Sequence, residues 1–167
     1  MRKTGIFIGI FVLLGLIAIG GRTMAMKLKS PEFNNNEFIP KKFTCRGENI
    51  NPALTIEDIP GGTKSLAIIL DDPDAPGGNW VHWVMFDVSV ISKIEENSAP
   101  GKQGINDSGR KRYDGPCPPS GIHRYIFKLY ALDTKLNLEE RISKADLERA
   151  MVGHVLDMAE LIGLFSK

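Results

Sequence analysis

Apolar residues recur along the chain in short runs that glycine and proline keep interrupting. Phe38-Ile39-Pro40 leads into a first candidate strand at residues 41–45, and residues 53–59 form a second, opened by Asn51-Pro52 and closed by Pro60-Gly61-Gly62. Residues 65–70, SLAIIL, are continuously apolar, as expected of a strand covered on both faces. Residues 82–90 and the aromatic-rich run 123–133 complete the set, the latter long enough for a central strand. Many short strands parted by turn residues predict a mainly β chain, an antiparallel sandwich of Greek-key type.

The pattern changes near the C-terminus. Ser143 and Asp146 have the spacing of a capping box. Leu147, Met151, Val155, Met158, Ile162 and Phe165 then follow at spacings of three or four. This predicts one amphipathic α-helix laid with its apolar stripe on the sheet. His154 lies close to that stripe and reads as a hydrogen-bonded packing residue.

The N-terminus has a third character. Arg2 and Lys3 precede an uncharged, mostly apolar run from Gly5 to Gly21, which Arg22 ends, and Thr23-Met24-Ala25 offers small residues at cleavage positions. Residues 1–25 read as a signal peptide or, if retained, an N-terminal membrane anchor, with the folded domain at 27–167. The run is short beside the roughly 20 apolar residues of a spanning helix. Translation from Met24 or Met26 would instead leave the protein cytoplasmic. Export places it in the periplasm or outside the cell, with membrane contact only through this segment.

The chain of 167 residues suits one such domain, and its net charge is +1. Without Arg2, Lys3 and Arg22 the remainder carries 18 basic and 20 acidic groups, a net of −2. That balance gives no pull toward nucleic acid, so any preference for anions must be local. The two cysteines, Cys45 and Cys117, leave a disulfide and two separate buried thiols equally open.

Candidate chemistry gathers in two glycine- and proline-rich connections. Asp72-Pro73-Asp74-Ala75-Pro76 runs on to Trp80, His82 and Trp83; Tyr113 and Gly115-Pro116-Cys117-Pro118-Pro119-Ser120-Gly121 run on to His123-Arg124-Tyr125. Each is a stiff loop delivering a histidine to the start of a strand. Two such histidines can meet at one end of a sandwich, where loops cluster. Imidazole N–H groups and loop amides suit an oxyanion, and a carboxylate such as Asp72 can fix a histidine's tautomer. No group stands out as poised to attack a bound ligand.

These two motifs, Asp-Pro-Asp-x-Pro before Trp and His, and Gly-Pro before Gly-x-His-Arg-Tyr, resemble the phosphatidylethanolamine-binding family, also called Raf-kinase-inhibitor-like proteins. The compact first loop and the Cys-Pro-Pro insertion look like its bacterial and archaeal branch. Thr44-Cys45-Arg46-Gly47, Asn51-Pro52-Ala53-Leu54 and Gly153-His154 extend the likeness to roughly residues 27–165. The resemblance implies a β-sandwich with a small anion pocket lined or supported by Asp72, Trp80, His82, Gly115, Pro116, His123 and Tyr125. Asp74 and Arg124 look structural, as an ion pair between the loops, and Ala75–Pro76 is a candidate cis peptide. Longer relatives close the pocket mouth with a terminal helix. With Lys167 following directly on the expected helix, a more open site is expected here.

The function expected is therefore non-enzymatic: binding of a phosphate or phospholipid-headgroup-like anion, in a protein that inhibits or regulates another. No cofactor and no metal are called for; His82, His123 and Asp72 are zinc-capable types but lack a closely spaced ligand pair. The alternatives are a hydrolase using Cys117 or Ser120 with His123, and an interaction module with a vestigial pocket. A protein partner and a homodimer are both compatible with the resemblance.

Overall fold

The computed structural model describes residues 24–167, so the leader expected over residues 1–25 lies almost wholly outside the described residues. Among the described residues, nine strands form two sheets, joined by one short 3-10 turn and one α-helix. β1 (Lys27–Lys29), β3 (Leu54–Glu57) and β6 (Lys93–Ile94) make the smaller sheet, in the order β1-β3-β6. The larger sheet has the order β2-β9-β8-β4-β5-β7. Its members are β2 (Glu37–Phe38), β4 (Ser65–Asp72), β5 (Trp80–Val88), β7 (Lys102–Gln103), β8 (Ile122–Leu132) and β9 (Val155–Ser166).

β4 shows why the continuous apolar run forms a strand. Every residue in it is buried. Leu66, Ile68 and Leu70 face the main core with Trp83, Met85, Phe127 and Leu129. Ala67 and Ile69 face the other way, onto a second core with Val84, Phe86, Leu147 and Met151. A strand covered on both faces gains from apolar side chains at every position. β8 lies between β4 and β9 and alternates strictly, with Tyr125, Phe127, Leu129 and Ala131 all inward.

The expected helix exists but is shorter. α1 spans Lys144–Met151, and the capping box forms as read: the Ser143 side chain accepts from the Asp146 backbone and the Asp146 carboxylate accepts from the Ser143 backbone. After Met151 the chain turns at Gly153, whose φ is +80°, and residues 155–166 form β9, antiparallel to β8. The residues that turn inward on β9 are Ala159, Leu161 and Phe165, while Met158 is 45% exposed. The spacing 151, 155, 158, 162, 165 fitted a helix, but alternation decides. The long open edge of β8 needs a strand to satisfy its backbone groups, which a helix lying across it does not provide.

Smaller expectations are corrected as well. Residues 41–43 form the 3-10 turn, not a strand. Every peptide bond among the described residues is trans, Ala75–Pro76 included. His154 is not a packing residue: it lies in the α1–β9 turn and bonds the Asp133 carboxylate through Nδ1 at 2.8 Å. Because β9, not a helix, runs up to Lys167, the reasoning that tied an open mouth to the end of a helix loses its premise.

Candidate functional site

The site is the open end of the main core. Asp72 is the last inward position of β4, after Leu70, and His123 is the first inward position of β8, before Tyr125. Alternation therefore aims both side chains into the space where the sandwich runs out of apolar filling. His82 needs an irregularity to join them. Leu70 pairs with Trp83, but Asp71 pairs with Val81, so His82 is an extra residue on β5. Val81 thus stays with the second core, while His82 turns to the Asp72 side. Re-aiming one side chain is what such a bulge does.

Both imidazoles are held through Nδ1. His123 Nδ1 lies 2.8 Å from Asp72 Oδ2, and His82 Nδ1 lies 2.7 Å from the Asp114 carbonyl. The histidines are each 6% exposed and Asp72 is 3% exposed. Burial pushes the His82 imidazolium down in pKa, against the opposing pull of the Asp114 carbonyl and the nearby Asp72, Asp114 and Asp107 carboxylates. Asp72 Oδ1 accepts the backbone N–H of Asp74 at 2.9 Å, which closes the turn of the first loop.

Asp74 and Arg124 pair at the rim. Asp74 accepts from the Arg124 backbone, Nε and Nη2 at 2.9, 2.9 and 2.7 Å. The guanidinium pulls the Asp74 carboxyl down to about 2. This fork ties the first loop to the start of β8.

The second loop is pinned at several points. Cys45 and Cys117 are disulfide-bonded, with their Cα atoms 5.4 Å apart. The Cys45 N–H donates to the Pro116 carbonyl at 3.1 Å, and the Gly115 N–H donates to Asn49 Oδ1 at 2.7 Å. Tyr113 donates its hydroxyl to the Phe43 carbonyl at 2.8 Å. Gly115 is needed for this close approach, since a Cβ there would lie 2.3 Å from the Phe43 carbonyl oxygen.

A third segment, residues 104–114, supplies part of the wall and was missed in the sequence. Its hub is Asn106, only 3% exposed. Asn106 Nδ2 donates to Asp114 Oδ2 at 2.8 Å, and Oδ1 accepts the Arg110 and Ser108 backbone N–H groups at 2.9 and 3.1 Å. Asp114 also takes Arg110 Nε at 2.9 Å and Arg112 Nε at 3.2 Å. In sequence this stretch reads as a hydrophilic turn. Its one signal was a pair of arginines two and four residues ahead of an aspartate.

These segments enclose a cavity of about 390 Å³. Its polar wall includes Asn49, Asp72, His82, Ser108, Arg110, Asp114 and His123; Trp80, Pro76, Pro119 and the disulfide supply apolar surface. Gly115 also lies on it. Two expected residues do not. Tyr125 is fully buried behind the wall, with its ring edge-on to His82 at 5.2 Å, and Pro116 is buried with its carbonyl turned to Cys45. The Tyr125 hydroxyl has no partner in the protein, and burial, with the Asp72 charge nearby, pushes it far up in pKa. The hydrolase alternative loses one nucleophile, because the Cys117 sulfur is bonded, and the exposed Ser120 is not on the wall. Among the described residues no three His, Cys, Asp or Glu side chains group as a metal site.

Known proteins with this architecture bear directly on it. The family profile described as phosphatidylethanolamine-binding protein matches residues 29–166. A UPF0098 protein of Methanothermobacter thermautotrophicus is 51% identical over 150 residues, 85% of this chain and 99% of the relative. A UPF0098 protein of Pyrococcus horikoshii is 47% identical over 174 residues, 97% of this chain and 88% of the relative. The crystal structure of CT736, a phosphatidylethanolamine-binding protein homologue from Chlamydia trachomatis, superposes with a TM-score of 0.83 at 42% identity, covering 86% of this chain and 98% of that one. With 138 consecutive positions under the profile and this fold, the chain belongs to the phosphatidylethanolamine-binding protein family.

Proposed function

We propose that this chain is a non-enzymatic binding protein whose pocket takes a small anionic group, of the phosphate or phospholipid-headgroup kind. The observation that carries the reading is the pair His82 and His123, buried on one wall of one cavity and each anchored through Nδ1. Arg110 adds a guanidinium to the same wall, and Trp80 adds an apolar surface for the rest of a headgroup. Against catalysis stands the lack of an activated nucleophile: the wall carries one hydroxyl residue, Ser108, which is bonded to neither histidine and so has no base in place to activate it.

Export, or anchoring by residues 5–21, fits the disulfide on the cavity wall, since an oxidising compartment preserves such bonds. The bound anion then belongs to a lipid, a metabolite or a phosphorylated protein outside the cytoplasm, and regulation of a protein partner acts through that group. Phosphate and then phosphorylethanolamine, titrated while Trp80 emission is followed, test it. Trp80 is 42% exposed on the wall and Trp83 is buried. A saturable change that Trp80→Phe abolishes is expected. Unchanged emission, together with no heat by calorimetry, contradicts the reading.

A further inference from the structure

The hydrogen bonds that hold His82 also decide what it offers a ligand. A backbone carbonyl only accepts, so the 2.7 Å contact with the Asp114 carbonyl requires the hydrogen on Nδ1. In the neutral ring Nε2 is then a bare lone pair. That atom has no protein partner. The only sealed and unpartnered side-chain polar atoms among the described residues are Asp71 Oδ1 and the Tyr125 hydroxyl, so His82 Nε2 opens to the cavity. An oxyanion brought against it meets an acceptor with an acceptor.

The surroundings strengthen this. Asp72, Asp107 and Asp114 face His82 from β4 and from the 104–114 segment, while Tyr125 lies edge-on from β8. Asp114 is shared by Arg110 and Arg112, and Asp72 by His123. Arg110 is the fixed cation on the wall. Burial keeps His82 toward its neutral form. Besides His123, a fully ionised ligand therefore finds one guanidinium already bonded to Asp114, two carboxylates and, at His82, a bare imidazole nitrogen.

We propose that the pocket binds its oxyanion together with one proton at His82 Nε2, and so selects a protonatable group such as a phosphate monoester over a permanently ionised one such as a sulfate ester. The proton arrives as a P–OH that donates to Nε2, or it is taken up by the ring, which then donates to the ligand. Either route removes one proton from solution when the ligand starts as a dianion. A sulfate ester has only the second route, and charging a buried ring is costly. The inference rests on the anion-pocket reading and adds the ligand class to it.

The test uses a matched pair, phosphorylethanolamine and ethanolamine O-sulfate, with the folded protein as it is produced. Calorimetry in buffers of different ionisation enthalpy counts the protons, above about pH 6 where a phosphate monoester loses its second proton. Uptake approaching one proton per phosphate ester is expected, with affinity falling by up to about tenfold per pH unit. The sulfate ester is expected to bind at least about tenfold more weakly at neutral pH, a gap worth about 1.4 kcal/mol. Ring nitrogen NMR of the free protein supplies a second readout, with His82 expected as the Nδ1–H tautomer. Equal affinity for the two esters without proton uptake, or a free His82 already carrying Nε2–H, overturns the inference and leaves the anion pocket standing. Binding of neither ester overturns both. Ethanolamine binding as tightly as its phosphate overturns both in favour of an acceptor pocket for amines.

Discussion

Asp71 and Asp72 are neighbours at the end of β4, and they live in different parts of the molecule. Asp72 faces the cavity and orients His123. Asp71 faces the opposite side of the sheet, is fully buried, and takes Lys128 and Lys144 at 2.8 and 2.7 Å. Lys144 opens α1, so Asp71 fastens the helix to the sheet. Burial pushes the Asp71 carboxyl up, but the two ammonium groups outweigh it and leave it below its ordinary value. One residue type thus serves the site and the fold in adjacent positions, and strand alternation alone separates the roles.

The cavity side depends most on its cross-link. Cys45 and Cys117 are 72 residues apart in sequence, and removing a cross-link of that span costs about 4 kcal/mol by chain entropy. Cys45→Ser with Cys117→Ser is expected to lose that stability in urea and to weaken anion binding, because the bond holds the 44–49 loop against the wall. An unchanged urea midpoint would mean that the hydrogen bonds around Gly115 and Tyr113 already hold the wall.

On the other face, Asp71→Ala leaves two lysines facing each other near the buried edge of α1. A loss of about 3 kcal/mol is expected, with ligand affinity unchanged. An equal loss of affinity would show that the two faces are coupled. Gly115→Ala is expected to reverse the balance. The clash with the Phe43 carbonyl costs about 2 kcal/mol and moves the wall, so affinity falls more than stability.

Acid sharpens the same contrast more gently. The folded values of Asp71 and Asp74 are depressed, Asp74 to about 2, so their stabilisation is present above the unfolded value near 4 and is lost as pH falls through the folded values. His82 is depressed too, so its neutral folded form favours the native state above about pH 6.5, and that preference is lost as pH falls through the lowered value. Urea midpoints across this range should slope less below about pH 6.5 in His82→Gln than in the parent.

How much of this the sequence could show differs by residue. β4, β5 and β8 announce themselves because each carries a run of apolar or aromatic residues with turn residues at both ends. Both proline-stiffened loops were legible for the same reason. β9 was not, because its apolar spacing satisfies a helix as well as a strand, and only the open edge of β8 breaks the tie. Asn106 was invisible, since a buried amide that organises a loop has the same letter as an exposed turn residue. The bulge at His82 and the Cys45–Cys117 distance depend on how segments meet in space, which local pattern does not encode. The family resemblance has Tyr125 lining or supporting the pocket, and alternation decides for support, one inward step deeper than His123.

The most direct test of the account uses the three histidines. Two lie on the cavity wall, and His154 lies in the α1–β9 turn, bonded to Asp133. Strand pairing sets it apart from them: His123 pairs with Phe165 at one end of the β8–β9 ladder, and Leu132 with Val155 at the other. Phosphate titrated into labelled protein, with ring signals followed by NMR, should shift His82 and His123 together, with one saturation curve, and leave His154 still. Separate curves for His82 and His123, or no response from either, would contradict the claim that β4, β5 and β8 build a single anion site.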